Sequence, residues 1–286
     1  MGRWTARREA FGKIMAGTAC VYPGSVFDPM SARIAQHVGY ELGMFAGSTA
    51  SLTVLGAPDY IVLTLTEFAE QCHRINRAFE MPLMVDADHG YGNALNVMRT
   101  VEELEAVGVS GMSIEDTELP EPFGTNGKQR MLSLEEGVGK MKAAVAARGN
   151  TGIRIAGRTS APALADMDET IRRAKAYEAT GVDAIFLVGI KTREQLDAVS
   201  AVVSKPLVLG TATPELMDLG YLGAKGVRIC LQGHHPIRAA QQAIFATMQA
   251  MREGAMPGKL SGMPSDELMN IATRQDAYDK ARKDYL

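Results

Sequence analysis

One phrase recurs along the 286-residue chain: an amphipathic helical stretch, a glycine, then a short β-branched or apolar run. It appears at Gln36-His37-Val38-Gly39 before residues 42–46, and at Glu105-Ala106-Val107-Gly108 before 109–114. It returns at Glu178-Ala179-Thr180-Gly181 before 184–188, and at Gly223 and Gly226 before 227–230. A glycine after a helix supplies the left-handed stop. The apolar run behind it reads as a parallel strand buried on both faces. Filling the gaps gives strands at 18–21, 42–46, 83–87, 109–114, 153–157, 184–188, 207–210 and 227–230. Helices fall between them, for example at 93–106, 134–147 and 168–179. Eight β–α units without a linker select an α/β fold, a (β/α)8 TIM-type barrel, over an open doubly wound sheet. An apolar content of 46% fills such a core.

The eighth helix spans 237–252, a Gly/Pro-rich stretch spans 254–264, and a last helical pattern runs over 266–285. The expected division is a catalytic barrel at 1–255 and a C-terminal helical extension at 256–286. The extension can pack on a neighbouring subunit or fold back on its own barrel.

Charge and cysteine usage exclude several function classes. A net charge of −3 argues against a nucleic-acid scaffold, which needs a basic surface. No apolar run is long enough for a signal peptide or a membrane span, so a cytoplasmic protein without membrane attachment is expected. Met1-Gly2-Arg3-Trp4-Thr5-Ala6 begins like a myristoylation site but carries Ala6 where a hydroxyl residue is required. Cys20, Cys72 and Cys230 have no Cys-x-x-Cys spacing and read as reduced, packed thiols. The partners left are small molecules and further copies of the chain.

Chemistry in such barrels sits where strands end. Those ends offer Gly47-Ser48, Asp86 with Asp88, Glu115-Asp116, Arg158, and His234-His235. Asp86 and Asp88 would share one face of a strand. A carboxylate pair needs a cation, a basic neighbour or a shared proton, and oxygen-only ligands suit Mg2+ or Mn2+. Each residue alone has a plainer explanation. Asp-x-Asp can be a solvated turn, Glu115 can pair with Arg158, and Asp59 after Pro58 can be a turn or cap residue. His234 and His235 can cap a helix, sit in solvent or touch a carboxylate. His89 can orient Asp88 or pack, while His37 and His73 read as surface residues. Together the strand-end residues obey one placement rule, and the site reading leads. Gly90-Tyr91-Gly92 lacks the third glycine of a dinucleotide fingerprint. No cysteine lies in 117–130, and neither a Ser-His-Asp signature nor a lysine-bearing phosphate loop occurs, so a metal rather than a protein nucleophile should carry the chemistry.

The sequence resembles the isocitrate lyase/phosphoenolpyruvate mutase superfamily over most of its length. The resemblance rests on Phe27-Asp28-Pro29-Met30-Ser31-Ala32, Gly47-Ser48, Ala57-Pro58-Asp59, Asp86-Ala87-Asp88-His89-Gly90-Tyr91-Gly92, Ile114-Glu115-Asp116 and Gly157-Arg158-Thr159. It implies a barrel whose last helix is exchanged between subunits, and a homotetramer built as a dimer of such dimers. It also implies an α-keto acid substrate and a Mg2+ cofactor, replaceable by Mn2+. Lyases of that superfamily carry a Cys in a Lys-Lys-Cys-Gly-His loop. Here the loop reads Leu119-Pro120-Glu121-Pro122-Phe123-Gly124-Thr125-Asn126-Gly127-Lys128, which argues against cleavage of a hydroxy acid. Asn126 leaves the phosphonopyruvate enzymes open.

Residues 26–35, 86–101 and 135–140, together with Pro120, Phe123, Gly124 and Gly233-His234, are most similar to the oxaloacetate decarboxylase branch. By that likeness Asp88 holds the metal directly, and Asp86, Glu115 and Asp59 hold it through water. Gly47, Ser48, Arg158 and His234 bind substrate, with Arg158 and His234 catalytic. The implied reaction turns oxaloacetate, or a close 3-substituted α-keto diacid, into pyruvate and CO2 through a metal-stabilised enolate. The alternatives are a 2-methylisocitrate-type lyase, a phosphonopyruvate hydrolase, or a keto-acid binder without turnover. The branch has Tyr where this chain has Ala212 and Asn where it has Ser160, so the preferred substrate stays open. So do the gating role of loop 117–130, the role of His235 and the oligomer size.

Overall fold

The computed structural model describes residues 2, 4–211 and 213–286. A first helix, α1 (Thr5–Ala16), precedes β1 (Gly24–Ser25), α2 (Pro29–Val38), β2 (Gly43–Ala46), α3 (Gly47–Ala50) and α4 (Leu65–Asn76). Next come β3 (Leu83–Asp86), α5 (Ala94–Ala106), β4 (Gly111–Glu115), α6 (Leu134–Ala147), β5 (Arg154–Thr159), α7 (Ala161–Leu164) and α8 (Met167–Glu178). The chain continues through β6 (Ala184–Leu187), α9 (Arg193–Ser200), β7 (Leu207–Leu209), α10 (Leu219–Ala224), β8 (Val227–Cys230) and α11 (His235–Arg252). It ends in α12 (Asp266–Thr273) and α13 (Gln275–Tyr285).

The eight strands are parallel, ordered β1 to β8, in one curled, TIM-like sheet. The first strand differs from expectation. Residues 18–21 look like a strand, yet Val21 makes only a single parallel bridge, to Ile229, and the paired strand starts at Gly24. Pro23 between them has no N–H to donate, which splits the ladder: Val21 meets β8, and Gly24–Ser25 meets Gly43 and Met44 of β2.

Pleating divides the core in two. Leu42, Met44, Met84, Ala156, Ala184, Phe186, Val208 and Ile229 pack together within the curl, with Phe11 and Met15 of α1 against them. Phe45, Val85, Met112, Ile114, Ile155 and Ile185 face the helix layer. Register then dictates which polar residues continue the inner rows. Asp86 follows Met84, and Glu115 pairs with Arg158, which pairs with Phe186.

Helix boundaries follow capping chemistry. Asn93 accepts from the N–H groups of Leu95 and Asn96 and starts α5, and Asp166 starts α8 by accepting from Glu169. The terminal pattern over 266–285 is two helices, because Arg274 adopts φ 59 between them. Of the two placements left open for the tail, α12 lies on α2 of its own chain, where Arg33 donates to the Ala272 carbonyl at 2.7 Å. In α11 no residue is fully buried. Ile237 and Ala240 near its start meet the core, while Phe245 and Met248 are 63% and 68% exposed. Among the described residues no helix is long and apolar enough to cross a membrane.

Candidate active site

The inner row at the C-terminal strand ends brings Asp86, Glu115 and Arg158 together, as expected. Arg158 forms ion pairs with Asp86 through Nη1 and with Glu115 through Nη2, the latter at 3.0 Å. Ser113 donates to Asp86 Oδ1 at 3.0 Å, and Thr117 donates to Glu115 Oε2 at 3.1 Å. The guanidinium carbon stands 5.5 Å from the centre of the Phe186 ring. Burial works against the Arg158 charge, but Asp86 and Glu115 outweigh it and push its pKa up. Burial also raises Glu115; Arg158 pulls it back and Asp86 adds to the rise. The plain reading of a Glu115–Arg158 salt bridge is thus realised, in a cluster that also holds Asp86.

Asp88 reaches this cluster by a different route from strand alternation. β3 ends at Asp86, and Asp88 sits in a turn with φ 48, closed by Gly90 N–H donating to the Ala87 carbonyl at 2.9 Å. Its carboxylate rests against the backbone of Gly47, where a Cβ would stand 2.6 Å from Asp88 Cγ. Gly47 is therefore the seat of Asp88. Burial raises the Asp88 carboxyl well above the usual range, and Asp86, Glu115 and Asp59 add to it, with Arg158 offsetting only part. Asp59, on the loop after the helical turn Ser51–Leu55, is raised by desolvation and by Asp86.

Four carboxylates share one guanidinium, and that deficit of positive charge is what a divalent cation relieves. Among the described residues no three His, Cys, Asp or Glu side chains converge tightly enough to seize an ion by themselves. A cation held mainly by Asp88 and otherwise by water fits this donor set, and retained water is the habit of Mg2+.

Ser48, in α3 directly after β2, is half-buried at the same end. His234 is half-buried and its Nδ1 lies 2.9 Å from Ser25 Oγ, whereas His235 is exposed. Ser160 is buried just after β5. Ala212 lies outside the described residues, and its neighbour Thr213 donates to the Lys191 carbonyl at 2.8 Å. Loop 117–130 is pinned at its base, Glu118 N–H donating to the Arg130 carbonyl at 2.8 Å, and Phe123 is fully exposed.

The remaining histidines fall to their plain readings. His89 is buried with its ring centre 6.0 Å from that of Tyr91, and burial, helped by Lys140, lowers its pKa to about 4. His37 and His73 are exposed.

Asp116 is the residue that strand-end reasoning left unplaced. One residue beyond Glu115, it points to the opposite face, is fully buried, and accepts at Oδ2 from Thr159 at 2.8 Å, Arg173 at 2.8 Å and Tyr177 at 2.7 Å. The period of two was the available signal. Thr159 neighbours Arg158 on β5, so this node braces the ends of β4 and β5 from behind. All three cysteines are free and buried, as expected.

Residues 11–252 match the family model of phosphoenolpyruvate phosphomutase. The chain is 55% identical over 277 residues to an oxaloacetate decarboxylase of Bradyrhizobium diazoefficiens, covering 97% of this chain and 96% of that one. It is 52% identical over 280 residues to an oxaloacetate decarboxylase of a further Bradyrhizobium, covering 98% and 97%. Among solved structures it resembles a phosphonopyruvate hydrolase in complex with oxalate and Mg2+, with a TM-score of 0.84 at 27% identity over 98% of this chain and 99% of that one.

Proposed function

The chain belongs to the phosphoenolpyruvate phosphomutase family, and we propose that within it the protein is a carboxy-lyase that converts oxaloacetate to pyruvate and CO2 with Mg2+ at Asp88. The observation that carries this reading is the carboxylate cluster of Asp86, Asp88, Glu115 and Asp59 around the single cation Arg158. It sits at the strand ends of a chain more than half identical, almost end to end, to oxaloacetate decarboxylases.

In the reaction the C3–C4 bond of oxaloacetate breaks, C4 leaves as CO2, and the bonding electron pair moves onto the C2 keto oxygen. A proton later reaches C3. Mg2+, replaceable by Mn2+, would when bound supply the positive charge that stabilises the enolate as it develops. Asp88 would hold the metal directly, with Asp86, Glu115 and Asp59 acting through water. Arg158, held at both Nη groups, is a fixed charge at the floor of the site, preorganised for negative charge that develops above it. Gly47 and Ser48 place backbone and hydroxyl donors at the C1 carboxylate, and His234 serves the C4 carboxylate from the β8 side. Positioning of this kind, removing a few kcal/mol, accelerates the step by roughly 10²–10³. Losing CO2 demands no strong protein base, in keeping with a loop 117–130 that carries no thiol.

Residues 1–255 form the catalytic unit in this reading, and 256–286 extend it. The unburied apolar face of α11 fits exchange of the last barrel helix with a second copy, and a homotetramer made of two such closed (β/α)8 pairs. Free, buried thiols fit a cytoplasmic protein. Ser160 and Ala212 make 3-substituted keto diacids the analogues to compare with oxaloacetate.

The test is a substrate panel with Mg2+, reading pyruvate, succinate and phosphate. Pyruvate from oxaloacetate above the free-metal rate supports the proposal. Succinate from 2-methylisocitrate or phosphate from phosphonopyruvate would replace it with a lyase or a hydrolase. Mg2+-dependent oxalate binding with no turnover would leave a binder.

A further inference from the structure

His234 is set by a contact that no local sequence pattern announces. Ser25, the last residue of β1, pairs in register with Met44, whose side chain is in the inner core, so Ser25 shares the inner row. Its hydroxyl lies 2.9 Å from His234 Nδ1, across 209 residues of sequence. The imidazole is carried in after Gly233, whose φ of 85 suits glycine, and it stands at the start of α11. One hydrogen bond therefore ties the first strand to the loop that closes the site from the β8 side.

The direction of that bond follows from proton accounting. Among the described residues, Nδ1 of His234 is the one hydrogen-bond partner found for the Ser25 hydroxyl. If Nδ1–H donated, the hydroxyl proton would find no acceptor among the described protein groups. If the hydroxyl donates, both groups are satisfied and the ring proton must sit on Nε2. Asp86 and Asp59 act on this ring, which places it in the field of the carboxylate cluster. Burial lowers its pKa despite them, which favours the neutral ring.

We infer that Ser25 is the positioning residue of His234, holding it as the Nε2–H tautomer so that it acts as a neutral hydrogen-bond donor to the substrate's C4 carboxylate, not as the acid that protonates C3. A neutral imidazole is far too weak an acid to surrender its Nε2 proton, so the C3 proton comes from elsewhere, solvent being the available source. The inference rests on the decarboxylase reading for its substrate atom. The tautomer itself does not depend on that reading.

The experiment uses the full chain with Mg2+ and oxalate, and reads the ring nitrogens of His234 by 15N NMR, assigned by their loss in His234→Gln. The wild type should show Nε2–H, and Ser25→Ala should show mixed tautomers. Ser25→Ala should lower kcat on oxaloacetate by about 10-fold, the scale of one lost hydrogen bond. Ser25→Thr, which keeps the hydroxyl, should restore both readouts. In the His234→Gln background Ser25→Ala should change kcat by less than about 2-fold, because coupled residues are not additive. An Nδ1–H tautomer in the wild type would overturn the inference. So would a Ser25→Ala defect equally large with and without His234, which is the mark of a merely structural serine. Absence of any pyruvate from the wild type would instead remove the decarboxylase reading while leaving the tautomer result standing.

Discussion

Gly47→Ala tests the seating of Asp88 with a single methyl group. A Cβ built at Gly47 lies 2.6 Å from Asp88 Cγ and closer still to both carboxylate oxygens, whereas ordinary contact begins at 3.4 Å. The nearest oxygen, Oδ2 at 2.1 Å, must retreat by about 1.3 Å to reach that distance. It has little freedom to do so, because Asp88 is short and its backbone is fixed at φ 48 between the closed turn and the Glu115 N–H that its carbonyl accepts at 2.9 Å. Displacements near 1 Å at a reacting centre cost on the order of 10²-fold in rate. We therefore expect kcat/KM for oxaloacetate to fall by about 10²-fold, with more Mg2+ needed for half-maximal rate. Gly47 itself has no left-handed backbone demand and opens α3, so the backbone accepts alanine and the strain falls on the Asp88 side chain. The assay is initial pyruvate formation across a Mg2+ titration, corrected for the rate with metal alone, beside a urea melt. A variant with wild-type kcat/KM and Mg2+ response would refute the claim that Gly47 exists to seat Asp88 for metal.

Other consequences are equally concrete. Burial pushes the thiols of Cys20 and Cys230 up to about 12 and raises Cys72 as well, so iodoacetamide at pH 8 should modify none in the folded protein and all three in urea; rapid native labelling would contradict the packing. Tyr177→Phe removes one of three donors to Asp116 and should cost about 1–2 kcal/mol in urea melts. Asp116→Ala removes the shared acceptor of Thr159, Arg173 and Tyr177, leaving Arg173 its pair with Glu169, and should cost more, about 3 kcal/mol; if both cost nothing, the bracing role is wrong. Phe245→Asp on the open face of α11 should lower the mass measured by light scattering, and an unchanged mass would argue against exchange through that helix.

Much of the architecture was legible because local chemistry and tertiary structure agree. The helix 134–147 was readable to the residue, and the one expected at 93–106 starts one residue later, Asn93 being its cap. The misses have separate physical causes. Residues 18–21 carry strand-forming side chains, yet Pro23 breaks the ladder and moves the paired strand to Gly24–Ser25. The period of two was rightly applied to Asp86 but carried past the end of β3 to Asp88, which arrives through a left-handed turn. Applied one residue further on β4, the same period would have separated outward Asp116 from inward Glu115. Arg274 breaks the last helix without a glycine to mark it. The Ser25–His234 bond joins two ends of the chain, and no local pattern encodes such a pairing.

The most direct measurement of the central claim is the initial rate of pyruvate formation from oxaloacetate with saturating Mg2+, for the wild type and for Asp88→Ala, each corrected for free Mg2+. The account predicts a wild-type rate well above the free-metal rate and a loss of at least about 10²-fold on removing the carboxylate proposed to hold the metal. A wild type no faster than free Mg2+, or an Asp88→Ala enzyme as fast as the wild type, would contradict it.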